Sequence, residues 1–480
     1  MLSLLYKYRV FYASFLFFLS LIAAIICNNF LLLTIPFLFA LLPFILQAVI
    51  GKTSNLFYLL IALLPLSAEI HISTTLGIDF PDEMLMALLT IFFIAKMIYT
   101  PAFVPRSLLH SPLIFLLILH VLWIIISCVY STNIWLSFKF LLAKTWYIVP
   151  FVVLPAILQI NKEKIKNLAL CLIVPMAFVI VQSLTRHAFY GFTFEGIKNT
   201  LSPFFRNHVT YSAMLVCLLA VVWAMLRLTP KSNPYRIYLQ MTMIIFVMGL
   251  ISSYSRGAWL ALVTGMIAYL LIRKKLVVKA VIAFVVILLL CVVWLGNNKH
   301  YLRFAPDYNT TVFHPQFTEH LQATVDLKDV SNAERFYRWI AAVNMIMDRP
   351  VTGFGPNNFY DNYRGYTVTP FKTWVSDNPE HSSVHNYFLL TTLEQGLPGL
   401  FFFVLLYVGM LAWSQKLYHL LEDEFYKTVA MVIGVIVIMI GTLNLMNDLI
   451  ETDKNGSLFW LCLGMLVVLD RKKDQQLLNQ

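Results

Sequence analysis

Apolar stretches of roughly 17 to 25 residues recur along this chain, each long enough to cross the hydrocarbon core of a bilayer as a helix. No other feature restricts the fold so strongly. Such windows begin near Val10, Phe30, Leu56, Met84, Pro112, Lys139, Asn167, His208, Ile237, Gly257, Leu276, His385, Lys427 and Gly456. Composition agrees: 60% of the 480 residues are hydrophobic and 12% are charged, against roughly 45–50% and 25% in soluble domains. The expected class is an all-α integral membrane protein with about 12–14 transmembrane helices. Lys7 and Arg9 precede the first window with no small-residue cleavage site after it, so that window is read as a retained helix.

Lys and Arg number 35 against 24 Asp and Glu, a net charge of +11. In a soluble chain that balance would suggest nucleic acid. Here the basic residues occupy short connections: Lys7/Arg9, Lys52, Lys96/Arg106, Lys162/Lys164/Lys166, Arg227/Lys231/Arg236, Arg273/Lys274/Lys275, Lys416/Lys427 and Arg471/Lys472/Lys473. All fall on one side when the windows are threaded in order, so they orient the chain, nucleic-acid binding is excluded, and both termini are expected in the cytoplasm. Asn28–Asn29, Glu69–Glu83, Ser131–Trp135, Arg186–Asn207, Tyr254–Arg256, Asn297–Ser383 and Glu451–Asn455 fall opposite, facing the exterior or periplasm. Three parts follow: residues 1–296 as an N-terminal bundle of about 11 spans, 297–383 as one large periplasmic loop domain with short helices, and 384–480 as C-terminal transmembrane helices. The six cysteines (Cys27, Cys128, Cys171, Cys217, Cys291, Cys462) all lie in apolar runs without CxxC spacing, which points to packing rather than disulfides or thiolate metal sites.

Within the long outer segment, Ser331-Asn332-Ala333-Glu334 reads as a capping box. Phe336, Ile340, Val343 and Met347 then form a stripe at helical spacing, expected to lie on the lipid interface, with substrate binding as the alternative. Gly353-Phe354-Gly355-Pro356-Asn357-Asn358 is turn chemistry.

Polar groups at membrane depth cost roughly 2.5–3.5 kcal/mol for a central Arg or Lys, so they carry information. Arg206, in Phe204-Phe205-Arg206-Asn207-His208, sits at the outer end of a window, where it either snorkels or joins a polar site. Arg256 lies in the polar island Ser252-Ser253-Tyr254-Ser255-Arg256-Gly257-Ala258-Trp259. It is either a turn residue or a planar fork of donors held for a phosphate or pyrophosphate. His385, in Glu380-His381-Ser382-Ser383-Val384-His385-Asn386, opens a helix at the outer face. It is either an interfacial hydrogen-bonding residue or a group that takes a proton from an alcohol. Loop charge alone puts Arg206, Arg256 and His385 on the same side of the membrane. Glu380 and His381 would orient His385 or cap its helix. Lys139 and Lys144 would touch the phosphates of a lipid or snorkel, and Asn444, Asn447 and Asp448 would line a cavity or bond between helices. No cluster of Asp, Asn and His has oxygen-ligand spacing for a metal.

His385-Asn386, nine residues, then Gly396-Leu397-Pro398-Gly399 resembles the signature of the bacterial O-antigen ligase and polymerase family. Ser255-Arg256-Gly257-Ala258-Trp259 is similar to that family's arginine-bearing segment, and Pro350 through Gly353, Gly355, Asn358 and Phe359 to its PxxGxGxxNF turn. The resemblance covers roughly Arg206 to Gly399. It implies a GT-C-like, multispanning inner-membrane glycosyltransferase that takes a glycan from undecaprenyl pyrophosphate at the periplasmic face without a metal or other cofactor. Under it Arg256 would hold the pyrophosphate, Arg206 would assist, and His385 would activate the acceptor hydroxyl. Candidate substrate-binding residues are then Arg256, Arg206, His381, Asn386, Lys139 and Arg364. The acceptor would be the lipid A core for a ligase or a second lipid-linked glycan for a polymerase, with a protein O-oligosaccharyltransferase as a third form. A lipid-linked sugar transporter is the competitor from another class, but it would place its polar groups at the midplane in repeated halves, and no inverted repeat is visible.

Overall fold

In the computed structural model, residues 53–71, 77–100, 104–105, 108–158, 160–298, 300, 330–368, 372, 376 and 382–478 are described. The windows near Val10 and Phe30 lie outside them. Each of the other twelve windows coincides with a helix or begins within two residues of one. In chain order these are α1 (Thr53–Leu63), α2 (Asp82–Tyr99), α3 (Pro112–Val129), α4 (Ile134–Ile157), α5 (Lys162–Phe189), α6 (His208–Leu228), α7 (Arg236–Ser252), α8 (Arg256–Arg273) and α9 (Val277–Gly296), then, after the outer helix α10 (Val330–Asp348), α11 (Tyr387–Leu420), α12 (Glu424–Asn444) and α13 (Asp453–Leu478). Eight of them, α3 to α6, α8, α9, α11 and α12, are long and apolar enough to cross a membrane. The protein is an all-α integral membrane protein. Among the described residues the one sheet is a hairpin of β1 (Ala68–His71) and β2 (Gly77–Phe80), with Glu69 opposite Asp79.

Several spans start where an amide or carboxylate side chain accepts the first free backbone N–H groups, as such caps do. Asn133 caps α4, Asn161 α5, Asn207 α6, Asn386 α11 and Asp423 α12. The centre of the bundle is α12, 72% of whose apolar window is buried, packed on α8, α11, α6 and α13. Glycines admit these neighbours, since a Cβ at Gly434 would overlap Ser414 and one at Gly441 the Tyr407 ring. At the other extreme α9 has 6% of its window buried and runs along the periphery.

The connections sort into two groups. At one end Lys454 Nζ donates to Ser67 O (2.7 Å), Thr132 N to Phe354 O (2.9 Å), Tyr254 Oη to Phe192 O (2.5 Å) and Tyr387 N to Asn447 O (3.0 Å). Two of these contacts, Thr132 with Phe354 and Tyr254 with Phe192, join segments that loop charge assigns to one side. At the other end Arg236 donates to Leu226 O (2.8 Å), Arg471 to Ala156 O (2.8 Å), and Lys162 pairs with Asp423.

Helix α10 departs from its expectation. It begins at Val330, upstream of the supposed cap Ser331. The Glu334 carboxylate is buried against Arg338 Nη2 (3.3 Å) and Ser376 Oγ (2.6 Å). The face that buries carries Ala333, Tyr337, Ala341, Ala342 and Met345, and α10 packs on α11. Of the expected stripe, Val343 and Met347 are exposed and Phe336 and Ile340 half-buried.

That docking meets a break in α11. Gly396 takes φ 71 and ψ 178, a region essentially reserved for glycine. The break frees backbone groups, and the turn 350–355 takes them: Phe354 N donates to Leu393 O (2.9 Å), Gly355 N to Glu394 O (2.8 Å), and Leu397 N to Pro350 O (2.8 Å). A Cβ on Gly396 would run into the Val351 carbonyl. Gly396→Ala should therefore lower stability by about 1–3 kcal/mol or more, read as a fall in the thermal midpoint in detergent. Gly365→Ala, at an open position, should leave the midpoint unchanged.

Candidate functional site

His385 sits on the connection into α11 with φ +55, a left-handed conformation uncommon outside glycine. The chain holds it there from both sides. From α10, Arg338 Nη1 donates to Ser383 O (3.3 Å) and Trp339 Nε1 to Val384 O (3.1 Å). From the α12–α13 connection, Leu445 O accepts from Asn386 Nδ2 (3.0 Å) and Asn447 O from Tyr387 N (3.0 Å). Asn386 Oδ1 meanwhile accepts from Leu389 N (3.0 Å), so the residue expected to bind substrate is the N-cap of α11.

The imidazole faces a carboxylate. His385 Nδ1 is 4.0 Å from Asp448 Oδ1, and Ser383 Oγ donates to Asp448 Oδ2 (2.5 Å) while accepting from His385 N (3.2 Å). Burial, then Arg338 and Arg335, depress the imidazole to about 3, so the ring is neutral at ordinary pH. Burial raises Asp448, opposed by the Ser383 hydrogen bond. Sequence reading missed Arg335, Arg338, Ser383 and the pairing of Asp448 with His385. The one legible signal was the i, i+4 spacing of Glu334 and Arg338.

Arg256 is the first residue of α8, half-buried beneath a turn in which Tyr254 is left-handed (φ 51). The turn is tied down by Ser253 Oγ to Leu250 O (2.7 Å) and Trp259 Nε1 to Leu250 O (3.2 Å). Its neighbour Gly257 faces the Leu443 side chain of α12. The start of α8 and the start of α11 thus both meet the Leu443–Asn447 end of α12.

Arg206 is exposed just before α6 and engaged by the hairpin: Nε is 2.5 Å from Glu69 Oε2 and Nη2 3.8 Å from Asp79 Oδ1. Its neighbourhood reaches α13 through Asn455 Nδ2, which donates to Thr210 O (3.3 Å). Simple snorkelling does not describe it.

Lys139 is exposed on α4. Lys144 neither snorkels nor meets a lipid, since it is 2% exposed and Nζ lies 2.8 Å from both oxygens of Glu451, with the Phe140 ring 4.7 Å away. It points into the bundle, where a charge needs a partner. Arg364 is exposed, its guanidinium 5.9 Å from the Tyr360 ring. His381 and Glu380 lie outside the described residues. Asn358, the motif asparagine of the turn, is fully buried and donates to Ser131 Oγ, Ser137 Oγ and Pro356 O, which gives it a structural role. Among the described residues no group of three or more His, Cys, Asp or Glu is placed to hold a metal ion.

Residues 241–404 match a family described as O-antigen ligase. The match contains Arg256, the turn, His385 and the break at Gly396; Arg206 and Asp448 fall outside it. No curated protein matches the chain.

Two outcomes follow from this geometry. Lys144→Met should cost about 3–5 kcal/mol by leaving Glu451 without its cation, whereas Lys144→Met with Glu451→Leu should recover much of that in a double-mutant cycle. The depressed His385 lies below the ordinary histidine value of about 6.5, so the unfolded chain protonates first as pH falls and stability is lost between about 6.5 and 3. The thermal midpoint should drop between pH 7 and 5, and drop less in His385→Asn.

Proposed function

Because this chain carries a domain of the O-antigen ligase family across residues 241–404, we propose that it transfers a glycan from undecaprenyl pyrophosphate to an acceptor hydroxyl at the periplasmic face of the inner membrane. The family supports a function of the O-antigen ligase or polymerase type. The observation that supports the finer reading is that the segments bearing Arg256 and His385 both abut one end of α12, Gly257 against Leu443 and Asn386 and Tyr387 against Leu445 and Asn447. Arginine at the first position of a helix is opposed by the positive end of the helix dipole. An anion bound there would meet the guanidinium and the positive end of the helix together, which suits a diphosphate leaving group.

In the proposed reaction His385 Nε2 takes the proton of the acceptor hydroxyl as that oxygen bonds to the anomeric carbon. The bond from the anomeric carbon to the phosphate oxygen breaks, and the electron pair leaves on undecaprenyl diphosphate. A single displacement inverts the configuration. Arg256 holds the charge developing on the diphosphate, with Arg206 in support once it exchanges its hairpin carboxylates for phosphate oxygens. Arginine carries the charge that a metal ion would otherwise neutralise, so the step needs none.

The acceptor is the lipid A core in the reading we favour, and a second lipid-linked repeat in the alternative. The polar site sits at one end of the bundle, which favours transfer over transport. In a deletion strain, loss of all polysaccharide-capped core indicates ligation, and core bearing a single repeat indicates polymerisation. Complementation with His385→Ala or Arg256→Ala should leave the deletion pattern unchanged, with activity down by about 100-fold or more. Normal lipopolysaccharide from His385→Ala would remove the assigned base.

A further inference from the structure

The side chain nearest the function of His385 lies outside the matched domain, on the connection between α12 and α13. We propose that Asp448 is a positioning residue: it accepts the Nδ1 proton of His385, fixes the tautomer in which Nε2 is free, and is itself set by Ser383. The inference rests on the glycan-transfer reading above.

Three observations carry it. First, the carboxylate is divided between two partners, with Oδ2 bonded to Ser383 Oγ at 2.5 Å and Oδ1 facing His385 Nδ1 at 4.0 Å. A closure of about 1 Å would bring that second contact to hydrogen-bond length. Second, the two segments cannot drift apart, because Asn386 and Tyr387 bond the backbone at Leu445 and Asn447, immediately before Asp448. Third, Ser383 binds both Asp448 and the backbone N–H of His385, so one hydroxyl sets the distance between carboxylate and ring. A neutral imidazole can carry its proton on either nitrogen, and only the Nδ1–H form offers Nε2 as a base. A carboxylate at Nδ1 selects that form and stabilises the imidazolium that forms once the proton is taken, without becoming protonated itself.

The charged groups around the pair set the pH behaviour. Arg335 and Arg338 of α10 face the imidazole and lower its basicity. Glu451 and Arg338 face Asp448. Within this field Asp448 is the carboxylate placed to raise the basicity of His385, so its removal moves the acid limb of the rate profile to lower pH.

The test uses the full-length protein in nanodiscs, with undecaprenyl-diphosphate-linked glycan extracted from host membranes as donor and purified core lipid as acceptor. Asp448→Asn should lower kcat by at least about 10-fold with little change in KM and shift the acid limb downward, while Asp448→Glu recovers part of the rate. Ser383→Ala, which leaves the carboxylate in place, should show a smaller effect in the same direction. In protein labelled with ¹⁵N-histidine, the His385 signal, assigned by comparison with His385→Asn, should report Nδ1–H in the parent and a shift toward Nε2–H in Asp448→Asn. An unchanged tautomer, or an unchanged kcat and acid limb while His385→Ala is inactive, overturns the role of Asp448. Full turnover by His385→Ala overturns the transfer chemistry assigned to His385 instead.

Discussion

A helix that breaks inside a membrane protein must find new partners for the backbone groups it releases, because lipid supplies none. The whole outer half of this site depends on how that requirement is met at Gly396. The carbonyls of Leu393 and Glu394 and the N–H of Leu397 are taken by the turn between Pro350 and Gly355. The turn is thereby welded to α11, and α10, which runs directly into it, is fixed against the same helix. Arg338 and Trp339 on α10 then reach the carbonyls before His385. A chain of backbone requirements thus leads from one glycine to the orientation of one imidazole.

The two motifs that lie about forty residues apart in sequence are therefore one structural object. Gly353 forms one half and Gly396 the other, each lying against the partner's backbone, while Gly355 and Asn358 seat the same turn against Ser131 and Ser137. Their residue types report close approach rather than chemistry. His385 and Arg256 stand apart from that logic, since neither is required by local packing and each occupies a position that the backbone or the helix dipole disfavours.

Much of the fold was legible because it rests on two simple regularities, apolar length and the distribution of basic residues. Every described window coincides with or abuts a helix, and several of the polar segments grouped by loop charge are joined by polar contacts, Thr132 to Phe354, Tyr254 to Phe192 and Arg206 to Glu69. The sequence was less informative wherever a pairing crosses long distances. Lys144 read as an interfacial lysine because its partner Glu451 is 307 positions away, and the choice for Arg206 between snorkelling and a polar site stayed open because Glu69 and Asp79 belong to a distant hairpin. The orientation of α10 was misread for a related reason: periodicity shows that a helix has two faces, but not which one turns inward. Asp448 lies in a polar stretch with Asn444 and Asn447, and only folding separates the asparagines that serve backbone groups from the carboxylate that faces a ring.

Helices α9 and α12 illustrate how unevenly such a protein constrains its own letters. Little of the described protein packs against α9, so length and oiliness are nearly all that those neighbours demand of it, and Val, Leu, Ile and Phe are interchangeable against them. At the centre, Gly434 and Gly441 each leave a hollow that a neighbour fills, and even a methyl group has nowhere to go. Two apolar helices should therefore age differently: the peripheral one free to drift in spelling, the central one held nearly letter for letter by the shapes pressed against it.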